Sequence, residues 1–182
     1  MAAQSSRVSQ ASAPDSTSSS ASGGAARGLL QRLTATTADV GPLVARVALG
    51  VAIFPHGAQK ALGWFGGYGL TGTMGFFTGQ LHIPAVFAAL AIAAEFLGAI
   101  GLIVGGFSRI AAFGIAATMA VAALMVHAPY GFFINWTGAQ AGNGVEYQVL
   151  AIGLALVVML KGGGAYSLDR VLARPATATG EH

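Results

Sequence analysis

The sequence contains no cysteine, and charged residues make up only 8% of its 182 residues. Without cysteine the chain has no disulfide, no thiol catalysis and no cysteine-ligated iron–sulfur or zinc site. Soluble domains carry about 25% charged residues, so a soluble fold of this length would lack polar surface to cover its core. Basic patches interleaved with aromatic residues are also missing, which argues against nucleic-acid binding. The composition indicates a membrane protein.

Large apolar side chains are almost absent from the first 27 residues, which are rich in Ser, Ala and Gly. Such a segment cannot bury enough surface to fold, so we predict a disordered tail. It does not read as a signal peptide, because no apolar run begins before Leu29. We assign residues 1–38 to a disordered or interfacial N-terminal tail, 39–172 to a four-span membrane domain and 173–182 to a C-terminal tail.

Long apolar runs are what the sequence does have. Membrane-spanning helices need about 20 mostly apolar residues, and four runs approach that length, at about 41–62, 84–105, 109–128 and 145–161. We predict an all-α fold, a polytopic membrane four-helix bundle. Two loops rich in Gly and aromatic residues join the spans in pairs. We place both on the outer side of the membrane, as interfacial or re-entrant segments. Lys and Arg concentrate in the tails and in the turn between spans two and three, which predicts that both termini are cytoplasmic in a bacterial inner membrane.

A single carboxylate, Glu95, lies in the middle of the second span. A charge at this depth costs at least about 2.5 kcal/mol on insertion scales, so it needs a partner or a water-filled surrounding. At about 1.5 Å per residue, His56 lies about 7 Å outward and Arg46 about 9 Å inward of the middle of the first span. Glu95 can therefore pair with either His56 or Arg46. It is either half of a structural Arg46–Glu95 ion pair or a proton-handling group.

Further polar side chains gather near the predicted outer ends of the helices. Their mixture of imidazole, carboxylate, ammonium and aromatic groups suits a flat, amphipathic, redox-active ligand such as a quinone. We predict proton handling by Glu95, His56 and His127. Ligand binding is predicted for Gln59, Lys60, Trp64, Glu146, Tyr147 and Trp136.

Each of these groups also has a structural interpretation. Lys60 at a helix end can extend to the lipid headgroups, and His127 can be a satisfied polar group at the interface. The aromatic loops can be interface belts alone. His56, His127 and Glu146 are suitable metal ligands by type, but no local spacing supports a metal site, and facing histidines for a haem are left open. No glycine loop has the context of a phosphate cradle, so we predict neither a bound metal nor a nucleotide.

Five segments of the chain together carry a family resemblance. They are PHGAQKALGWFGGYG (55–69), AEFLGAIGLIVGGFSR (94–109), HAPYGFFINW (127–136), GVEYQVL (144–150) and GAYSLDR (164–170). On these segments, residues 39–172 resemble the DoxX family of small bacterial and archaeal membrane proteins. The resemblance implies a four-helix membrane bundle and quinone-linked redox work, because the family takes its name from a subunit of an archaeal thiosulfate:quinone oxidoreductase. It identifies no proven catalytic residue.

The sequence predicts an integral membrane subunit of a quinone-linked oxidoreductase complex, with a soluble or membrane oxidoreductase as its partner. Whether the chain also forms a homo-oligomer is left open. Whether the chain itself is catalytic is left open. One alternative is a non-catalytic anchor for a soluble redox enzyme, held through the YSLDR segment (166–170) or the tails. A second alternative is a small-solute transporter, for which four spans are few unless the protein dimerises.

Overall fold

The computed structural model describes residues 28–173, and all regular structure within that range is helical. The predicted disordered tail at 1–27 and the end of the C-terminal tail, 174–182, lie outside the described residues. The α-helices are α1 (28–34), α2 (Val40–Leu62), α3 (Gly69–Gly75), α4 (Ala85–Val104), α5 (Ser108–Ala122), α6 (Glu146–Lys161) and α7 (Leu168–Leu172).

Three helices in the described range are long and apolar enough to cross a membrane: α2, α4, and α5 with its continuation to Tyr130. That continuation consists of a wide π turn (Ala123–His127) and a tight 3-10 turn (Ala128–Tyr130). Helix α6 has 16 residues, which is about 24 Å at 1.5 Å per residue. It is therefore shorter than the usual span of about 20 residues. The prediction of a multi-pass, all-helical membrane protein is confirmed, whereas a fourth complete span stays a prediction.

The four long helices pack side by side, α2 against α4 and α6, and α5 against the same two helices. Along α2, residues four apart face inward, as in Leu49 and Ile53, where they meet Leu102, Ile115 and Val158 of the other helices. Large apolar side chains also cover the outside of these helices. Helices that are apolar on all sides suit a lipid surrounding rather than water.

Glycine sets how closely α2 approaches α4. A Cβ atom on Gly57 would lie 2.6 Å from the Cα of Phe96, so no larger residue fits without a shift. Further along, a Cβ on Gly50 would meet the backbone of Ala99 and the side chain of Ile103. The two helices therefore run antiparallel with Gly57 beside Phe96, and this register decides which polar groups can meet.

The predicted Arg46–Glu95 ion pair is not formed, because this register places Arg46 near the carboxyl end of α4, well away from Glu95. The guanidinium instead donates to backbone carbonyl oxygens at 2.7 to 3.4 Å. Its side chain is buried, and carbonyl oxygens at a helix end have no partner within the helix. The carbonyls belong to Leu102, Ile103, Gly163, Ala165 and Tyr166.

The segment after α6 folds back against this same end of the bundle. Asp169 is buried, and its carboxylate accepts from the backbone N–H of Phe107 at 2.6 Å and of Ser108 at 2.9 Å. A carboxylate at a helix N-terminus satisfies free amides and meets the positive end of the helix dipole. We name this end, with residues 35–46, 102–109 and 158–170, the tail end. The opposite end, with residues 56–84 and 123–148, is the loop end.

Candidate functional site

A cavity of about 1200 Å³ opens at the loop end and extends along α4 and α5. Most of its wall is apolar, formed by side chains of these two helices and by Phe76 and Phe77 of the first loop. The polar side chains in its lining are His56, Lys60, Glu95, Thr118, His127, Asn143, Tyr147 and Gln148. A smaller hollow of about 470 Å³ between α2 and α6 contains none of the predicted site residues.

Lys60 is the partner of Glu95. Its Nζ lies 2.5 Å from Oε2 of Glu95, and the Glu95 side chain is only 3% exposed while that of Lys60 is 26% exposed. The pair forms because Gly57 brings α2 against the α4 backbone beside Glu95, and Lys60 lies one helical turn further toward the loop end. A buried carboxylate in an apolar helix thus has the cation that its burial requires.

His56 and Tyr147 form a second polar contact on the cavity wall. Their ring centroids are 5.6 Å apart, at an angle of 44°. The Tyr147 hydroxyl lies 3.4 Å from the carbonyl oxygen of Ala52, a long hydrogen bond between α6 and α2. Both rings line the cavity, as do Lys60 and Glu95. We name the polar part of the cavity, lined by His56, Lys60, Glu95, Tyr147 and Gln148, the chamber.

His127 lies where α5 widens into its π turn, at the loop-end edge of the cavity. Its Nδ1 is 2.8 Å from the backbone carbonyl oxygen of Asn143. A carbonyl oxygen only accepts, so Nδ1 donates the hydrogen in this contact. The bond joins the end of α5 to the loop before α6 and orients the imidazole.

Four other predicted residues do not line the cavity. Gln59 donates through Nε2 to the carbonyl of Phe65 at 3.2 Å, and Glu146 accepts from the backbone N–H of Ile134 at 3.0 Å. Each of these side chains therefore holds a loop. Trp64 and Trp136 are 53% and 84% exposed, so both point away from the cavity, as interface belt residues do.

The sequence reasoning did not single out Gln148. Its side chain is 5% exposed, it lines the cavity, and its Oε1 has no hydrogen-bond partner. A buried amide oxygen without a partner is unusual, because burial removes the water that would otherwise bond it. The available signal was an amide in the first turn of α6, directly after Glu146 and Tyr147, since polar residues in membrane spans usually have a function.

Among residues 28–173, no three of His, Asp and Glu gather closely enough to hold a metal ion. The polar end of the cavity is instead a set of hydrogen-bonding groups around one ion pair. Lys60 contributes an ammonium with three hydrogens, Tyr147 a hydroxyl and Gln148 an amide that both donates and accepts.

The apolar exterior and the span-length helices define a multi-pass membrane protein. Residues 41–128 match the DoxX family model, and this match supports a DoxX family assignment. The matched range contains His56, Lys60, Glu95 and His127, and it ends before α6. No curated protein and no solved structure gave a significant match.

Proposed function

We propose that this protein is a membrane subunit of a quinone-linked oxidoreductase and that its loop-end cavity binds the quinone and handles its protons. The observation that carries the proposal is the convergence of His56, Lys60, Glu95, Tyr147 and Gln148 on one chamber within apolar helices. A bound quinone would supply two-electron, two-proton redox chemistry. The donor set and the apolar wall fit a flat ring with two oxygen atoms.

The residues of the chamber divide into two roles in this proposal. Lys60 gives one of its three hydrogens to Glu95, which leaves two for a ligand oxygen, and the Gln148 amide is also free to bond. Glu95 and His56 are the groups that can hold and release protons beside the ring. The chain has no cysteine for an iron–sulfur centre, so electrons come from a partner redox protein or directly from a reduced substrate.

The same proposal includes the arrangement in the bilayer. Four spans cross the membrane, with α6 as the short fourth span, and the tail end faces the cytoplasm of a bacterial inner membrane. Support comes from the basic residues Arg32, Arg109, Lys161 and Arg170, which lie in or beside the tail-end segments, whereas Lys60 at the loop end is neutralised by Glu95. Cytoplasmic flanks carry the excess of Lys and Arg in such proteins.

A binding measurement tests the function. The purified protein in mild detergent is titrated with a quinone that has no isoprenoid chain, beside the variants His56→Ala and Glu95→Gln. We expect saturable binding that weakens about tenfold or more in each variant, the effect of losing roughly one hydrogen bond. Trp136→Phe, an aromatic loop residue outside the cavity, is the control and should bind like the natural chain. No saturable binding by folded protein overturns the proposal.

The anchor alternative also has an observation in its favour. At the tail end, Tyr166, Leu168, Val171 and Leu172 expose apolar surface, although Ser167 and Asp169 of the same segment are buried. An enzyme docked there would cover these side chains. The double variant Tyr166→Ser with Val171→Ser is compared with the natural chain for binding to a purified redox partner. Loss of partner binding in the variant, together with no quinone binding by the natural chain, would favour the anchor.

A further inference from the structure

The cavity is much longer than its polar chamber. Glu95 stands near the middle of α4, and the lining continues from it towards the helix end at Val104, which is nine residues or about 14 Å along the helix axis, and on to Gly106. Every side chain that lines this stretch of α4 and the adjoining start of α5 is apolar, among them Leu97, Ile110 and Phe113. We name this tail-end extension the crevice.

The crevice has a floor of small residues and a rim of large ones. Gly98, Gly101 and Ala111 lie along the floor, whereas Leu97 and Phe113 on the rim are exposed at the outer surface of the helices. In a membrane that surface faces lipid, so the crevice opens sideways into the bilayer. Its shape suits a single flexible apolar chain that enters from the hydrocarbon.

Gln148 points to what the chain is attached to. Its unpartnered Oε1 is buried in the polar chamber, where an amide can bond a ring carbonyl through its N–H or a ring hydroxyl through its oxygen. Both redox forms of a quinone therefore find a partner in this one residue. Only a donor such as the hydroxyl of the reduced ring can satisfy Oε1, whereas the carbonyl of the oxidised ring can accept only from the Nε2 hydrogens.

Charge distinguishes a quinone from a phospholipid as the occupant. The chamber reaches Glu95 in the middle of a membrane helix. The ammonium of Lys60 is already neutralised by its 2.5 Å contact with the Glu95 carboxylate. A phosphate at this depth would be a buried charge without a counter-ion, which is strongly unfavourable. A neutral ring with oxygen atoms has no such cost.

We infer that the ligand is a long-chain isoprenoid quinone, with its ring oxygen bonded to Gln148 in the chamber and its chain in the crevice between α4 and α5. This inference rests on the proposed function and specifies its ligand. It makes Gln148 a ligand-binding residue, and it predicts that affinity depends on the chain as well as on the ring.

The test uses the full-length protein in nanodiscs of pure phosphatidylcholine. Binding is measured for one quinone ring without a chain and for the same ring with a chain of several isoprenoid units. We expect the chain to increase affinity about tenfold or more, and Leu97→Trp to abolish that increase while leaving the chain-free ligand unaffected. Leu156→Trp, the same change on a lipid-facing residue of α6 outside the cavity, is the matched control.

Ile110→Trp, which fills the crevice from the α5 side, repeats the crevice test should Leu97→Trp fold poorly. For the chamber, Gln148→Leu should weaken both ligands about tenfold, whereas Gln59→Leu, an amide outside the cavity, should weaken neither. Equal affinity with and without the chain, or unchanged binding in Gln148→Leu, overturns the inference even though the chain-free ring binds. The inference is also overturned if a phospholipid co-purifies with the natural chain but not with Leu97→Trp, while the quinone affinity of this variant is unchanged. If neither ligand binds, the proposed function fails as well.

Discussion

Replacing Lys60 by methionine tests whether the contact with Glu95 stabilises the bundle or contributes nothing to its stability. Methionine keeps much of the length and apolar stem of lysine but removes the ammonium. The structure predicts an asymmetric result, because the Glu95 side chain is 3% exposed and that of Lys60 is 26% exposed. Without Lys60 the carboxylate is left alone in an apolar helix, whereas without the carboxylate charge Lys60 can turn toward water.

The expected magnitude follows from that asymmetry. Removing one partner of a fully buried pair costs about 3–5 kcal/mol, and the partial exposure of Lys60 places Lys60→Met at the lower end, about 3 kcal/mol. Glu95→Gln leaves a cation that reaches solvent, so its cost should be about 1 kcal/mol or less. The double variant should be more stable than Lys60→Met alone, since it carries no unpaired buried charge.

Equilibrium unfolding in mixed detergent micelles measures these free energies. Lys161→Met is the matched control, because Lys161 lies at the end of α6, is exposed, and has no ion-pair partner among residues 28–173. The reasoning is refuted if Lys60→Met unfolds like the control, or if the two single effects simply add in the double variant. Additive effects would mean that the two side chains are not coupled.

Two further substitutions test the packing. Gly57→Ala should destabilise the protein by about 1–3 kcal/mol, because its Cβ would lie 2.6 Å from the Cα of Phe96. The control Gly153→Ala adds a methyl group where nothing lies within 4 Å, and it should leave the protein as stable or raise its stability by up to about 1 kcal/mol. Asp169→Asn should cost about 1–2 kcal/mol in the same unfolding assay, because the charged acceptor for the amides at the start of α5 is lost. A neutral result for Asp169→Asn would show that water replaces these bonds.

Much of the helical architecture was predictable, because hydropathy and chain length are local properties. The predicted spans at 41–62 and 84–105 correspond to α2 (Val40–Leu62) and α4 (Ala85–Val104). The span predicted at 109–128 was harder to bound, since the helix changes to wider and tighter turns before it ends at Tyr130. Helix type within a continuous apolar run depends on the loop packing, which hydropathy does not record.

The candidate site was predictable only in part. His56, Lys60, Glu95 and Tyr147 line one cavity, whereas their roles in proton handling and ligand binding stay predictions. Gln59 shares a helix face with Lys60 but bonds a loop carbonyl instead, and no sequence spacing distinguishes these two uses. Gln148 was missed, since its importance comes from a missing partner, which only three-dimensional packing reveals.

The sequence alone determined that this is a helical membrane protein with a carboxylate in one of its spans, because few charges and long apolar runs leave no soluble alternative. Only the tertiary structure decided that Glu95 pairs with Lys60 while Arg46 binds the carbonyl oxygens of the tail end. The physical reason is the antiparallel register of α2 and α4. That register follows from the close approach at Gly57, a contact between residues far apart in the chain.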